Sequence, residues 1–189
     1  MIEAQSLCKS YGAIKAVDDL SFKVEPGQVL GFLGPNGAGK STTMKMLTGF
    51  LTPTSGTALI NGIDVVENSV SARKNIGYLP EGAPSYGEMT VLQFLAFVAR
   101  ARLIEKNDVP ASVDRAIDKL NLAEVKHQAI DTLSKGFKRR VGLAQAIIHD
   151  PQILILDEPT DGLDPNQKRE VRGLIRDMAR DKIIIISTH

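Results

Sequence analysis

The chain has 189 residues, 43% of them hydrophobic and 24% charged, with a formal net charge of +1. That suffices for one core and a small inserted subdomain, and it excludes a broad electrostatic nucleic-acid surface. The single cysteine, Cys8, excludes an intrachain disulfide and a cysteine-built metal cage, in keeping with a reducing compartment. The opening MIEAQSLCKSYG lacks the charged-then-apolar pattern of a leader. The longest aliphatic runs, Ile153–Leu156 and Ile183–Ile186, fall far short of the roughly 20 residues of a membrane span, so any membrane role is expected to go through a partner.

Two extended segments come first, near Ile2–Ser6 and Asp19–Val24, followed by a turn at Pro26–Gly27 and a buried strand over Gln28–Leu33. A glycine-rich loop then leads into a helix that stops near Gly49, and Pro53–Gly56 makes another turn. Thr57–Ile60 runs into Asn61–Gly62, a strong hairpin signal. Ile76–Leu79 is a short strand halted by Pro80. From Thr90 to Leu122 the period is helical, with one apolar stripe at Val91, Leu92, Leu95, Val98 and Ala99 and another at Val113, Ile117 and Leu120. A further helix opens at LSKGFKRRVGLAQA and runs to about Ile148, where Asp150–Pro151 stops it. Two aliphatic strands then flank a helix over Asn166–Arg180. Strands alternating with helices, the central ones uniformly aliphatic, predict an α/β fold with a largely parallel sheet. The stretch from about Glu81 to Asp150 reads as a mostly helical insertion between core segments 1–80 and 151–189.

Gly34-Pro35-Asn36-Gly37-Ala38-Gly39-Lys40-Ser41 fits G-x-x-x-x-G-K-S after a strand and at the start of a helix. Glycines let backbone N–H groups turn inward around phosphate oxygens, and the helix N-terminus adds positive potential. Lys40 can reach the β- and γ-phosphates, and Ser41 can offer its hydroxyl to Mg²⁺. Ile153–Glu158 buries four aliphatics and delivers two carboxylates at the strand's C-terminal edge, where open α/β sheets bind ligands. Asp157 is placed for Mg²⁺, and Glu158 to activate or orient an attacking water. A nucleoside kinase is the rival. The β-like segments before Gln28 and the long helical interval from Lys40 to Asp157 weigh against it.

With these motifs in place, the sequence resembles the ATP-binding subunit of an ATP-binding-cassette (ABC) transporter over essentially its whole length. Tyr11 matches the family's adenine-stacking aromatic, and GPNGAGKST, including Thr42, its phosphate loop. Gly77–Glu81 sits at its Q-loop and Leu133–Gly136 at its signature. Asp157–Glu158 match its Mg²⁺ carboxylate and catalytic glutamate, Gly162–Asp164 its D-loop, and Ser187–His189 its switch histidine. The resemblance implies a P-loop NTPase with an N-terminal antiparallel β subdomain and an inserted α-helical subdomain. It also implies a head-to-tail dimer, most simply a homodimer, in which each ATP lies between one subunit's phosphate loop and the other's signature residues Ser134 and Gly136. Glu158 would act on water, His189 would stabilise the γ-phosphate and the water, and Lys40 with Mg²⁺ would spread charge. Asp164 would help align the partner's site. Integral membrane permease subunits would be the partners, placing the chain at the cytoplasmic face of the membrane. The small bacterial exporter-type branch is favoured, of gliding-motility or multidrug-export kind. The alternative is a soluble ABC ATPase of DNA repair or translation.

The chain departs from the family pattern in three places. Glu81 stands where glutamine is usual, keeping an oxygen for Mg²⁺ or water while adding a charge. Lys135 replaces the first glycine of LSGGQ, where it either crowds the dimer or adds a phosphate or partner contact; a tolerated variant is the favoured reading, with Ser134 as helix N-cap. The chain stops directly after the last strand, where the family continues, so the C-terminal part of the usual domain is expected to be absent. Phe94 and Phe97 read as helix core, while Tyr86, Met89 and Phe97 offer an alternative as a groove for a membrane subunit's helix. His149 is explained by the helix dipole, His127 has no assigned role, Cys8 reads as packing, and Lys138, Arg139 and Arg140 read as mostly solvated.

Overall fold

The computed structural model describes residues 1–83 and 85–188. Strands β1 (Ile2–Tyr11), β2 (Ile14–Val24), β4 (Ser55–Ile60) and β5 (Ile63–Asp64) form an antiparallel sheet in the order β2-β1-β4-β5. The first two strands are longer than the sequence predicted. Gly12, at φ 58, closes a tight hairpin in which Tyr11 faces Ile14, and residues Ser6 and Asp19, both at φ 46, lie where the pairing shifts register. The hairpin expected at Asn61–Gly62 forms, with φ of 51 and 80 at the two turn residues, as a primed turn requires.

The second sheet is parallel, in the order β3-β8-β7-β6, with β3 at Val29–Leu33, β6 at Ile76–Leu79, β7 at Ile153–Leu156 and β8 at Ile183–Thr188. Every residue of β7 is buried, and alternation along it and β8 divides the molecule's interior. Ile153, Ile155, Ile183 and Ile185 join the core beneath helix α1 (Lys40–Leu47) and the antiparallel sheet. Leu154, Leu156 and Ile184 face the helical side. Each such side chain contributes about 1.5–3 kcal/mol by leaving water. The strand predicted as buried at Gln28–Leu33 is instead half open. Strand β3 pairs with β8 alone among the described residues, which leaves Val29 53% and Leu33 76% exposed.

The helical side holds α3 (Val91–Ala101), α4 (Val109–Lys119) and α5 (Lys135–Ile147), with α6 (Pro165–Met178) after β7 and the short α2 (Ser69–Lys74) before β6. Thr90 and Gln93 cap α3 reciprocally. The predicted helical stretch from Thr90 breaks at 102–108, where Leu103 adopts φ 62 and Pro110 then sits in the first turn of α4. Phe94 is core, but Phe97 is not: it is 38% exposed on the outer side of α3, edge-on to Tyr86. Helix α5 lies close against β6, because a Cβ on Gly77 would fall 2.1 Å from the Ala146 carbonyl oxygen. Arg139 is also not solvated; it is 7% exposed on the inner side of α5.

His149, just beyond α5, corrects the dipole reading. Burial, then the charge of Arg102, pushes its pKa down to about 4, so the ring is neutral and its Nε2–H donates to the Ile76 carbonyl at 3.1 Å. A neutral ring carries no charge for a helix dipole. In the unfolded chain the same ring protonates near pH 6.5. Its contribution is therefore complete above that pH and is lost as pH falls from about 6.5 towards 4. The Lys182 partner depresses Asp150, whose contribution is lost as pH falls through the ordinary carboxylate range and below, mostly under the histidine window. Denaturant unfolding at stepped pH should show wild type losing about 2 kcal/mol more than His149→Gln between pH 7 and 4.5, after discounting for partial solvent screening.

Candidate functional site

The loop between β3 and α1 turns through glycines that other residues could not replace. Gly37 has φ 84, and Gly39, the N-cap of α1, has φ 82. A Cβ on Gly39 would lie 2.3 Å from the Ala16 carbonyl oxygen, so the loop is seated directly on β2. Together they wall a cleft of about 260 Å³, lined by Ala16, residues 35–42 of the loop and helix start, Glu81 and Glu158. Pro35, Asn36, Gly37, Ala38, Gly39, Lys40, Ser41 and Thr42 are thus gathered around one cavity, with Gly34 at its strand edge.

Lys40 is 8% exposed. Its ammonium donates to the carbonyl oxygens of Gly34 and, at 3.2 Å, Pro35, and lies 3.5 Å from Glu158 Oε1. Asp157 is 1% exposed. Its backbone N–H donates to Leu79 at 2.8 Å, registering the end of β7 against β6. The Ser187 hydroxyl on β8 donates to Asp157 Oδ1 at 2.6 Å and accepts the Glu158 N–H at 2.8 Å. Asp157 Oδ2 is buried with no hydrogen-bond partner among the described residues. An unmet carboxylate oxygen beside a phosphate-type loop suits a hard cation. The described residues contain no cluster of three His, Cys, Asp or Glu side chains, so a cation here would draw on phosphate oxygens as well. Glu158 itself has φ 49, a left-handed conformation that costs about 1–3 kcal/mol and recurs at functional sites. Burial, reinforced by Asp157 and Glu81, pushes the Tyr78 phenol well above its usual range, so it stays neutral.

The remaining predicted residues that the structure describes lie outside this cleft. Tyr11 is 50% exposed at the end of β1, with the Lys9 ammonium 5.4 Å from its ring centre. Ser134 caps α5, its hydroxyl accepting the Phe137 N–H at 3.4 Å. Gly136 is buried under Gln167, and a Cβ there would meet that side chain at 2.8 Å. Asp164 caps α6, its Oδ1 accepting from Asn166 at 2.9 Å and Gln167 at 3.0 Å. Lys135 is exposed and lines a separate cleft with Gly162. His189 lies outside the described residues. The sequence reading did not single out the part of Ser187 in joining the two carboxylates. Its small hydroxyl residue at the end of an aliphatic strand, beside a strand ending in Asp-Glu, was the available signal.

Comparison with known proteins agrees with this geometry. A family model described as ABC transporter matches residues 17–161. The chain is 40% identical over 190 residues to the "Probable multidrug ABC transporter ATP-binding protein YbhF" of Escherichia coli, matching all of this chain and 33% of that protein. It is 38% identical over 191 residues to the bacitracin transport ATP-binding protein BcrA of Bacillus licheniformis, again over all of this chain and 61% of the relative. The chain therefore spans a third to three-fifths of these relatives' length. A solved structure of the ATP-binding subunit of an ABC transporter superposes with a TM-score of 0.88 at 28% identity, covering 100% of this chain and 79% of its own. The chain belongs to the ABC transporter family and has the fold of that family's ATP-binding subunits.

Proposed function

We propose that the chain is the ATP-binding and ATP-hydrolysing motor of an ABC transporter, paired head to tail with a second copy and driving separate membrane subunits. One observation carries this reading: the phosphate-type loop, Glu81 and Glu158 line one cleft, while Ser134 and Gly136 stand at a helix start outside it. A cleft with phosphate-binding and carboxylate groups, and a second phosphate-suited helix N-terminus elsewhere, suit two half-sites that two subunits complete. No helix among the described residues is long and apolar enough to cross a membrane; in this reading the chain attaches through its permease partners at the cytoplasmic face. The exposed Tyr86–Phe97 pair offers them an aromatic contact surface beside the partly buried Met89. The relatives' names, multidrug ABC transporter and bacitracin transport, favour a transport role, and no observation favours the soluble DNA-repair or translation alternative.

In this reading the backbone N–H groups of the loop receive the β- and γ-phosphates. Lys40 exchanges its bonds to loop carbonyls for phosphate oxygens. Ser41, Asp157 and Glu81 would hold Mg²⁺, which supplies neutralisation of the phosphate charge when bound. Glu158, fixed by its backbone bond to Ser187, accepts a proton from the attacking water or orients it. Tyr11 stacks on the adenine, Asp164 aligns the facing subunit, and His189 contacts the γ-phosphate.

Glu158→Gln should keep nucleotide affinity within about twofold and lower turnover by about 100-fold or more, measured by nucleotide titration and phosphate release; undiminished hydrolysis would sink the assignment. Gly39→Ala should weaken ATP binding by about tenfold or more, since left-handed strain and a carbonyl clash exceed the ~1.4 kcal/mol of one decade. Isothermal titration against a folded variant checks it, and unchanged affinity would show that the loop does not hold phosphate.

A further inference from the structure

The basic run at the start of α5 sorts into one cation with an acidic partner and three without. Arg140 pairs with Glu170 and lies 5.5 Å from the Phe137 ring centre. Lys135, Lys138 and Arg139 make no ion pair within 4.0 Å among the described residues. Arg139 is 7% exposed. Its Nη2 lies 3.5 Å from the Asp161 carbonyl oxygen, the outer limit of a hydrogen bond, and its buried Nη1 has no hydrogen-bond partner among the described residues. Guanidinium keeps its charge even when buried, so a cation stands here without a bonded anion.

Helical geometry gathers these three on one face, because residues three and four apart are neighbours. They line a single cleft of about 230 Å³, whose other walls are Gly82 and Ala83 after β6 and Asp161 and Gly162 after β7. The Lys135 ammonium stands 4.0 Å from where a Cβ on Gly162 would lie, so its side chain reaches the far wall. Asp161 is the one acid among the lining residues, against three cations. The first turn of α5 holds no acid, and this is the helix end where the backbone dipole repels cations. Like charges at this spacing also repel one another. An anion seated among the three side chains removes both costs, and the N–H end of the helix adds to its attraction. The planar Arg139 fork with two flexible ammonium groups suits a tetrahedral oxyanion such as phosphate.

We propose that this cleft is a phosphate-binding site of the chain, separate from the one at the glycine-rich loop, in which Lys135, Lys138 and Arg139 hold a phosphate-class oxyanion. Two sources offer that chemistry: free inorganic phosphate, and the terminal phosphate of a nucleotide held by a second copy. Binding of free phosphate stands apart from the function proposed above, and only the second source rests on it. Gly82–Ala83 and Asp161–Gly162 closely follow Glu81 and Glu158 in the chain, so a bound anion ties α5 to both segments.

Inorganic phosphate titrated into the full chain at constant ionic strength, followed by backbone amide resonances, tests the site. The amides of residues 135–139 and 161–162 should shift saturably, as a set distinct from the loop amides of residues 34–42. Lys135→Gln/Lys138→Gln should weaken the affinity read at the first set about fivefold or more while the loop set titrates as in wild type. Lys106→Gln, at an exposed lysine that does not line the cleft, should change it less than about twofold. Arg139→Gln should weaken it about tenfold; if that variant does not fold, the double lysine variant carries the comparison. No shift at residues 135–139, or a double variant that titrates like wild type, would overturn the proposal. A second arm identifies the source by sedimentation of Glu158→Gln protein with Mg²⁺ and ATP. A dimer fraction lowered by the two lysine substitutions but not by Lys106→Gln assigns nucleotide phosphate, and an unchanged fraction assigns free phosphate. Glu158→Gln protein that never dimerises would count against the function proposed above and leave the site to free phosphate.

Discussion

The site depends on the bond between the Ser187 hydroxyl and the Asp157 carboxylate. A strand buried on both faces ends in two adjacent acids, and neither can be left dry without a partner. Ser187 solves this from the neighbouring strand with one oxygen, donating to Asp157 and accepting the Glu158 N–H. The Asp157 N–H is taken by Leu79 on the other side. Three parallel strands thus converge on two consecutive residues. Loss of the hydroxyl would leave a buried carboxylate oxygen and a buried N–H unpaired together, each costing about 1–3 kcal/mol.

The two acids come out of this arrangement unlike. Asp157, directly after the strand, is not left-handed and points one oxygen into a place with no protein donor among the described residues. Glu158 turns left-handed, which carries its side chain to the phosphate-type loop and within 3.5 Å of the Lys40 ammonium. Adjacent identical chemistry is separated by backbone conformation into a group suited to a cation and a group suited to a proton. The strain is sustained because Ser187 fixes the peptide between them.

Much of the plan was legible from residue types. The four aliphatics of β7 announced a strand covered on both sides, Asn61–Gly62 announced a hairpin, and the glycine-lysine-serine loop announced its own contacts. What escaped was set by tertiary neighbours. Val29 and Leu33 look like core residues, but their strand is bordered by β8 alone among the described residues. Phe97 shares its helix with Phe94 and falls on the other face. Arg139 sits in a run of basic residues that sequence cannot divide into inside and outside, because helical phase alone decides it. His149 was read by position on its helix, whereas burial and the nearby Arg102 fix its charge. The approach of Gly39 to Ala16 joins residues far apart in the chain and leaves no local pattern.

Strands β7 and β8 have a consequence for how the molecule comes apart. They are a party wall: alternate side chains belong to alternate cores, so neither core has a complete lining without the same two strands. Removing the wall exposes both interiors at once, and neither half retains a closed hydrophobic surface on which to survive. The antiparallel sheet and the helical side therefore have no separate melting transitions available to them, and the molecule unfolds as one cooperative body.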